Sequence, residues 1–158
     1  MLKFDGHTSD PILINNRIGQ GDPLSMVLYQ FYNADLLDIP RDKSEDALAY
    51  MDDTILVAIA KSFNEVHNKL ESMMCREGGV SNWSKMHNSP LEFSKLTLIN
   101  FTHRSSPKAK EMLQLPQRWI EPSASAKYLG VILDQHLTWK THQAYMVKKG
   151  TKWAAQIR

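Results

Sequence analysis

Two adjacent carboxylates stand in the middle of an otherwise apolar run, AYMDDTILVAIA, over residues 49–60. If they were buried without partners, Asp52 and Asp53 would each lose several kcal/mol of solvation free energy, or the pair would have to hold a proton. A divalent cation is the usual remedy, because its charge offsets both carboxylates. The stretch therefore suggests metal binding, and a solvated turn is the alternative.

The residues on either side of the aspartates predict a β-hairpin. We expect Ala47–Tyr50 and Thr54–Ala60 to form its strands, with Met51, Asp52 and Asp53 near the tip. A hairpin is a rigid mount, and two carboxylates at its tip can hold Mg²⁺, which prefers oxygen ligands and usually keeps waters or phosphates in its shell. Two such ions about 4 Å apart would clamp the attacking and leaving oxygens of phosphoryl transfer. The alternative is that the aspartates only make a polar β-turn.

A second stretch, RIGQGDPLSMVLYQFYNADLLDIP, precedes the hairpin and combines a glycine-rich loop with a helix start. Gly19–Gly21 is the flexible loop. Asp22 and Pro23 predict the beginning of a helix, with Asp as the N-cap and Pro at the first helical position. Pro40 ends this helix. Its apolar residues recur at helical spacing: Leu24, Val27, Leu28, Phe31, Ala34 and Leu37.

A second helix is predicted after the hairpin. Ser62 with Glu65 three residues later forms a capping box, and Gly78-Gly79 provides the C-terminal stop. The apolar stripe between them indicates core packing: Phe63, Val66, Leu70, Met73 and Met74.

The remaining patterns complete a mixed α/β chain. Strands are predicted at 11–14, 90–101 and 126–134, and a basic helix, interrupted at Gly150, is predicted over Trp139–Arg158. The order of elements favours an α+β fold in which helices pack on one face of an antiparallel sheet.

Composition limits the classes of protein and of partner. The chain of 158 residues is long enough for one domain with a core, and its single Cys75 excludes an internal disulfide framework and a multi-cysteine zinc site. No apolar run approaches the roughly 20 residues that cross a bilayer, and the N-terminus lacks the layout of a signal peptide. We therefore expect an intracellular protein, nuclear or cytoplasmic, with no membrane partner.

Charge is distributed unevenly along the chain. Residues 1–53 hold ten acids and four bases, whereas residues 101–158 hold three acids and ten bases. Such asymmetry suggests a polyanionic partner at the basic end, and a solvated helix face is the alternative.

These stretches, taken together, resemble reverse transcriptases of the non-LTR retrotransposon type, in particular the polymerases of fungal elements. The first resembles motif B, usually QGxPxSP, and its matching residues are Gln20, Gly21, Pro23 and Ser25. The segment Tyr50–Asp53, YMDD, resembles motif C.

Two later segments extend this resemblance over most of the chain. GGVSNWSKMHNSPLEFSKLTLINF resembles the motif D region, where Lys95 matches a lysine shortly before a β-strand, and KYLGVILDQHLTWKTH resembles the segment that enters the thumb. The resemblance implies a partial palm over 1–134, carrying motifs B to E, and the start of a thumb-like helix over 135–158.

The resemblance also implies roles for individual residues in RNA-directed DNA polymerisation. Asp52 would be the principal ligand of Mg²⁺ or Mn²⁺, with Asp53 as its companion, and Tyr50 and Met51 would lie along the primer 3′ end. Lys95 would neutralise or protonate the leaving pyrophosphate, unless it is simply an exposed lysine on a strand edge. Two further groups of residues receive implied roles: Gln20, Gly21, Pro23 and Ser25 at the nucleotide pocket, and Lys140, Lys148, Lys149 and Lys152 on the nucleic-acid backbone.

One expected part of the family's metal site has no match here. The motif A aspartate lies well upstream of motif B, and Asp5 is too close to motif B to supply it. We therefore expect weak cation binding and little polymerase activity from this chain alone, with an RNA template, a DNA primer and dNTP as partners of a polymerase that also has fingers and a full thumb. The alternative is a non-catalytic nucleic-acid-binding remnant that uses the basic C-terminal helix.

Overall fold

The structure is a computed structural model that describes residues 3–10, 23–103 and 107–157. Within these residues the helices are α1 (Pro23–Asn33), α2 (Phe63–Cys75), α3 (Val80–Met86) and α4 (Lys140–Ile157). The strands are β1 (Lys3–Phe4), β2 (His7–Thr8), β3 (Glu45–Tyr50), β4 (Asp53–Ala58), β5 (Leu113–Leu115), β6 (Arg118–Ile120), β7 (Ser125–Tyr128) and β8 (Val131–Asp134). The predicted strand at 11–14 and the predicted N-cap Asp22 lie outside the described residues.

Every strand pairs with its neighbour in sequence. The result, in the described part of the chain, is four separate two-stranded antiparallel sheets. This mixture of helices and antiparallel strands agrees with the predicted α+β class. The prediction of helices packed on one sheet is wrong, because each hairpin closes on itself and pairs with no third strand among these residues.

Helix α1 begins at Pro23, as predicted, but it ends earlier than expected. A 3-10 helix, Ala34–Asp38, follows it, so the predicted continuous helix to Pro40 changes its winding after Asn33. Only Asn33 of α1 is buried, and Phe31 is 75% exposed. The apolar stripe therefore does not pack into a core within the described residues.

Helix α2 forms where the capping box predicts it. Ser62 Oγ accepts a hydrogen bond from the Glu65 N–H at 3.3 Å, and Glu65 Oε2 accepts one from the Lys61 N–H at 3.3 Å. The helix stops at Cys75, and Gly79 then begins α3. A Cβ at Gly79 would lie 2.5 Å from the Met73 carbonyl oxygen, so this close approach of two helices requires glycine.

The core lies where α2 and α3 meet the β5–β6 hairpin and the 3-10 helix after α1. Met73 is completely buried there, Met74 is buried and Leu70 packs against them, which confirms the C-terminal half of the predicted core stripe of α2; Phe63 and Val66 are half-buried outside this cluster. The buried apolar residues of this cluster are Leu36, Ile39, Met73, Met74, Val80, Trp83, Leu98, Leu113, Leu115 and Ile120.

Two buried polar contacts fix the elements around this core. Arg76, at the end of α2, makes two parallel hydrogen bonds to the Glu45 carboxylate of β3, at 3.0 and 2.7 Å. On the other side of α2, His67 Nε2 lies 2.9 Å from Asn100 Oδ1. The Asn100 amide nitrogen donates to two backbone carbonyls of the segment before β5, at 3.0 and 3.1 Å.

Two strand predictions in the second half of the chain are wrong. The segment 90–101 forms a 3-10 helix, Phe93–Lys95, and a single parallel bridge at Leu98, in place of a strand. The segment 126–134 forms the hairpin β7–β8, because Leu129 and Gly130 both adopt positive φ and reverse the chain. Positive φ at both central residues is the pattern of a type I′ turn.

The basic helix is observed as α4, which runs through Gly150 without the predicted interruption. Its start is organised by Asp134, whose carboxylate accepts backbone N–H groups of Thr138 at 3.0 Å and Trp139 at 2.8 Å. These hydrogen bonds hold the pKa of Asp134 below its ordinary value, and the one from the Thr138 N–H has the largest effect. No helix in the described part of the chain is long and apolar enough to span a membrane.

Candidate functional site

The predicted hairpin carries the two aspartates on a two-residue turn. Tyr50 pairs with Asp53, which leaves Met51 and Asp52 as the residues between β3 and β4. Both carboxylates are exposed, so the solvation cost that their sequence context suggested does not arise. Met51 has a φ of +54°, an uncommon conformation for a residue other than glycine, asparagine or aspartate.

A buried side chain from α1 holds this turn. Asn33, the last residue of α1, donates a hydrogen bond from Nδ2 to the Met51 carbonyl oxygen at 2.8 Å. Asn33 is not among the site residues predicted from the sequence. No local pattern marks it, because its partner lies 18 residues further along the chain.

Of the four residues that resemble motif B, the structure describes Pro23 and Ser25. Pro23 and Ser25 lie in the first turn of α1, about 12–15 Å along the helix axis from Asn33, since each residue adds about 1.5 Å. The contact between α1 and the turn is thus made at the opposite end of the helix. Gln20 and Gly21 lie outside the described residues, and their placement at a nucleotide pocket stays a prediction.

Lys95 is exposed at the end of the 3-10 helix Phe93–Lys95. This helix is attached to β6, because Arg118 Nη1 donates to the Phe93 carbonyl oxygen at 3.2 Å. The lysine does not precede a β-strand as the resemblance implied, nor does it lie on a strand edge. Its proposed contact with a leaving pyrophosphate stays a prediction.

The basic helix presents its lysines to solvent. Lys140, Lys148, Lys149 and Lys152 are all exposed, and α4 contains no acidic residue. The helix is anchored to the β7–β8 hairpin through His142, whose Nδ1 accepts the Ile132 N–H at 3.3 Å. Such an exposed row of cations is suited to phosphate contacts.

The turn offers the kind of oxygen ligands that Mg²⁺ or Mn²⁺ accepts. Mg²⁺ is usually held by one or two carboxylates, and substrate phosphates and waters complete its shell. Asp52 and Asp53 fit such an open site. In the described ranges no group of three His, Cys, Asp or Glu side chains is placed to hold a metal ion. The turn thus supplies two exposed carboxylates whose chemistry suits such a cation, and the described residues form no closed metal site.

Comparison with known proteins gives one point of reference. The chain is 26% identical, over 146 residues, to the RNA-directed DNA polymerase from mobile element jockey of Drosophila melanogaster. The match covers 89% of this chain and 15% of the relative, so the chain spans less than a fifth of that protein's length. No family model matches the chain, and no solved structure matches it significantly. The similarity supports a reverse-transcriptase-like origin.

Proposed function

We propose that this chain is a segment of an RNA-directed DNA polymerase and that the Tyr50–Asp53 turn belongs to its nucleotidyl-transfer site. The observation that carries the proposal is the display of Asp52 and Asp53, both exposed, on a two-residue turn. The similarity to the jockey polymerase extends over the stretch that contains this turn and most of the chain besides.

The proposed roles follow from the chemistry of each side chain. Asp52 would be the principal metal ligand and Asp53 its companion, since an ionised carboxylate only accepts and two of them attract a divalent cation. When bound, that cation would supply positive charge to the phosphate oxygens of the incoming nucleotide. Met51 and Tyr50 would lie beside the primer end. The same proposal places the boundary between palm and thumb at residue 134. It also places the residues that resemble motif B at the nucleotide pocket.

Polymerisation would need carboxylates beyond these two. A two-ion site loses its geometry when one ligand is missing, and geometry carries much of the rate in phosphoryl transfer. We therefore expect the 158-residue chain to show no primer extension by itself, and an RNA template, DNA primer and dNTP to be partners of the longer polymerase.

The test begins with the transcript that encodes this chain and the reading frame upstream of Met1. If an in-frame stretch supplies an aspartate-bearing strand, the longer protein should extend a DNA primer on RNA with Mg²⁺. Asp52→Asn should then reduce the rate by at least about 100-fold, as expected for loss of a main electrostatic contact in phosphoryl transfer. Asp46→Asn, which changes an exposed carboxylate at the open end of the same hairpin, is the matched control and should leave the rate unchanged.

Two results would contradict the polymerase proposal. One is a longer protein that extends primers equally well with Asp52→Asn. The other is primer extension by the 158-residue chain alone that survives this substitution, because the turn would then be irrelevant to the activity.

A second candidate function rests on α4. Its four exposed lysines and lack of acidic residues favour a nucleic-acid-binding module that needs no catalysis. Binding through phosphates releases counterions, so the affinity should fall steeply with salt.

This candidate is tested with a fluorescently labelled single-stranded RNA at several salt concentrations. Replacing Lys148, Lys149 and Lys152 with glutamine should reduce the slope of log affinity against log salt by about two, since each phosphate contact on a single strand contributes about 0.7. A control with the same change of charge replaces three exposed lysines elsewhere: Lys43, Lys61 and Lys85. Equal effects of the two triple variants would show a nonspecific effect of net charge and contradict the role of α4.

A further inference from the structure

The hydrogen bond from Asn33 to the turn has a consequence for the two aspartates. We propose that Asn33 is a positioning residue that selects one orientation of the Met51–Asp52 peptide group and so sets the side-chain rotamers open to Asp52, beside Asp53. The part of this inference that concerns cation binding rests on the proposed function. The part that concerns the conformation of the turn stands on geometry alone.

The Met51–Asp52 peptide is the central peptide of the two-residue turn. The two turn types common in such hairpins, I′ and II′, differ by a flip of this peptide, while the strands keep their pairing. Met51 has positive φ and Asp52 does not, which is the sign pattern of type II′. Type II′ favours glycine at the first central position, so methionine there needs support from outside the turn.

Asn33 is able to give that support because its own position is fixed. Its side chain is buried, at 5% exposure, and it lies between two anchors. Before it, the Tyr32 hydroxyl donates to the His87 carbonyl oxygen, and the Tyr32 ring packs edge-on against Trp83 at 6.1 Å between centroids. After it, Leu36 is buried in the core. The donor is therefore held by the core and not by the turn.

The burial of the Asn33 amide also indicates a specific task. Within the described residues its Oδ1 is buried without a hydrogen-bond partner, whereas its Nδ2 bonds to the turn. An unsatisfied buried acceptor costs stability, so an apolar residue would fill the site at lower cost. An apolar residue, however, could not donate a hydrogen bond to the Met51 carbonyl.

A peptide flip would change ψ of Met51 and φ of Asp52 together. It would turn the Met51 carbonyl away from Asn33 and change the rotamers open to the Asp52 side chain, because these depend on φ, although Tyr50 and Asp53 stay paired. Loss of one hydrogen bond shifts such an equilibrium by about fivefold.

The test uses the full chain labelled with ¹⁵N and ¹³C, and Mn²⁺ as the probe. In the unmodified chain, a scalar coupling across the hydrogen bond from Asn33 Nδ2 to the Met51 carbonyl carbon should be detectable. Asn33→Leu should shift or split the amide signals of Asp52 and Asp53, and up to about fivefold more Mn²⁺ should be needed to broaden them, the limit being reached when the flipped turn dominates. Adding Met51→Gly should restore the original turn signals, because glycine favours the same turn type without external support.

Asn100→Leu is the matched control, since Asn100 is also a buried amide, at 2% exposure, but it contacts His67 and not the turn. It should lower stability without changing the Asp52 and Asp53 signals or their Mn²⁺ dependence. A purely structural role of Asn33 would give the same pattern as Asn100→Leu and no rescue by Met51→Gly, and it would overturn the proposal.

The two proposals fail in different ways. If Mn²⁺ does not broaden Asp52 and Asp53 in the unmodified chain, the proposed cation site is wrong, while the coupling and the turn signals still decide the role of Asn33. If the coupling is absent in the unmodified chain, the inference on Asn33 is overturned even when Asn33→Leu does not fold.

Discussion

Replacing Arg76 with methionine leaves a buried carboxylate without its counter-charge, and we expect it to be one of the most destabilising changes in this chain. The Arg76 and Glu45 side chains are only 12% and 5% exposed. Their two hydrogen bonds join the end of α2 to the start of β3, and Arg76 also donates to the Ile39 carbonyl oxygen. Arg76→Met removes these three hydrogen bonds and a longer one to Ser72 Oγ at 3.5 Å. Among the described residues, the Arg41 N–H, at 3.0 Å, is then the donor left to the Glu45 carboxylate.

The size of the effect follows from this burial. Removing one partner of a buried ion pair typically costs about 3–5 kcal/mol of unfolding free energy, because the remaining charge stays desolvated. Replacing both partners, as in Glu45→Leu with Arg76→Met, should cost clearly less than Arg76→Met alone, since no charge is then left buried.

The effect should depend on pH in a defined direction. Hydrogen bonds from Arg76 hold the pKa of Glu45 below its ordinary value of 4.5, so the pair's stabilising contribution is present above pH 4.5 and is lost as the pH falls through the lowered pKa. In Arg76→Met, burial would instead favour the protonated acid. The stability difference between the unmodified chain and the variant should therefore shrink below about pH 4.5.

Urea unfolding followed by circular dichroism and by tryptophan fluorescence is the assay. With a typical dependence of about 2 kcal/mol per molar urea, the midpoint for Arg76→Met should fall by about 2 M. Lys69→Met is the matched control, because Lys69 pairs with the exposed Asp42 at 3.1 Å and such pairs contribute little. A midpoint for Arg76→Met as close to the unmodified chain as that of Lys69→Met would refute the reasoning.

Three further changes test other parts of the fold. Asn100→Ala should cost about 1–3 kcal/mol in urea unfolding, because it leaves the buried His67 ring and two backbone carbonyls without their partner. Asp134→Ala should fray the start of α4, seen as faster hydrogen exchange of the Thr138 and Trp139 amides, and acid should weaken the same contacts in the unmodified chain as the pH falls through the lowered Asp134 pKa. Gly150→Ala should raise the melting temperature and helix content by the equivalent of about 0.5–1 kcal/mol, since Gly150 is exposed within a helix and a Cβ there meets no atom.

The elements that could be predicted from sequence are those whose signals are local. Ser62 and Glu65 mark the start of α2 by side-chain contacts within one turn, and the structure contains those contacts. The apolar runs around Asp52 and Asp53 likewise predict β3 and β4, because strand pairing across a two-residue turn needs no distant residue.

The elements that could not be predicted depend on strained or distant residues. Leu129 reverses the chain with a φ of +46°, a conformation rare for leucine, so the stretch around it resembled one strand. The segment that includes Leu98 has strand-like composition, but it is held by a single bridge to Pro122 instead of by a hairpin partner. Pattern alone does not reveal which apolar run finds a partner.

The candidate site shows the same division. Asp52 and Asp53 could be placed at a hairpin tip from sequence, and that placement is confirmed. The hydrogen bond from Asn33 to the turn could not be predicted, because it exists only once α1 and the hairpin are packed together.

The construction of the sheets from hairpins of adjacent strands has a consequence for the order of folding. Each pairing closes a short loop, so the hairpin that carries Asp52 and Asp53 can form within microseconds and before any distant contact. The anchors of Asn33 form later, because the Tyr32 hydroxyl must find a carbonyl 55 residues away. The turn therefore exists early as a shape with two interchangeable peptide orientations, and the later packing of α1 selects between them.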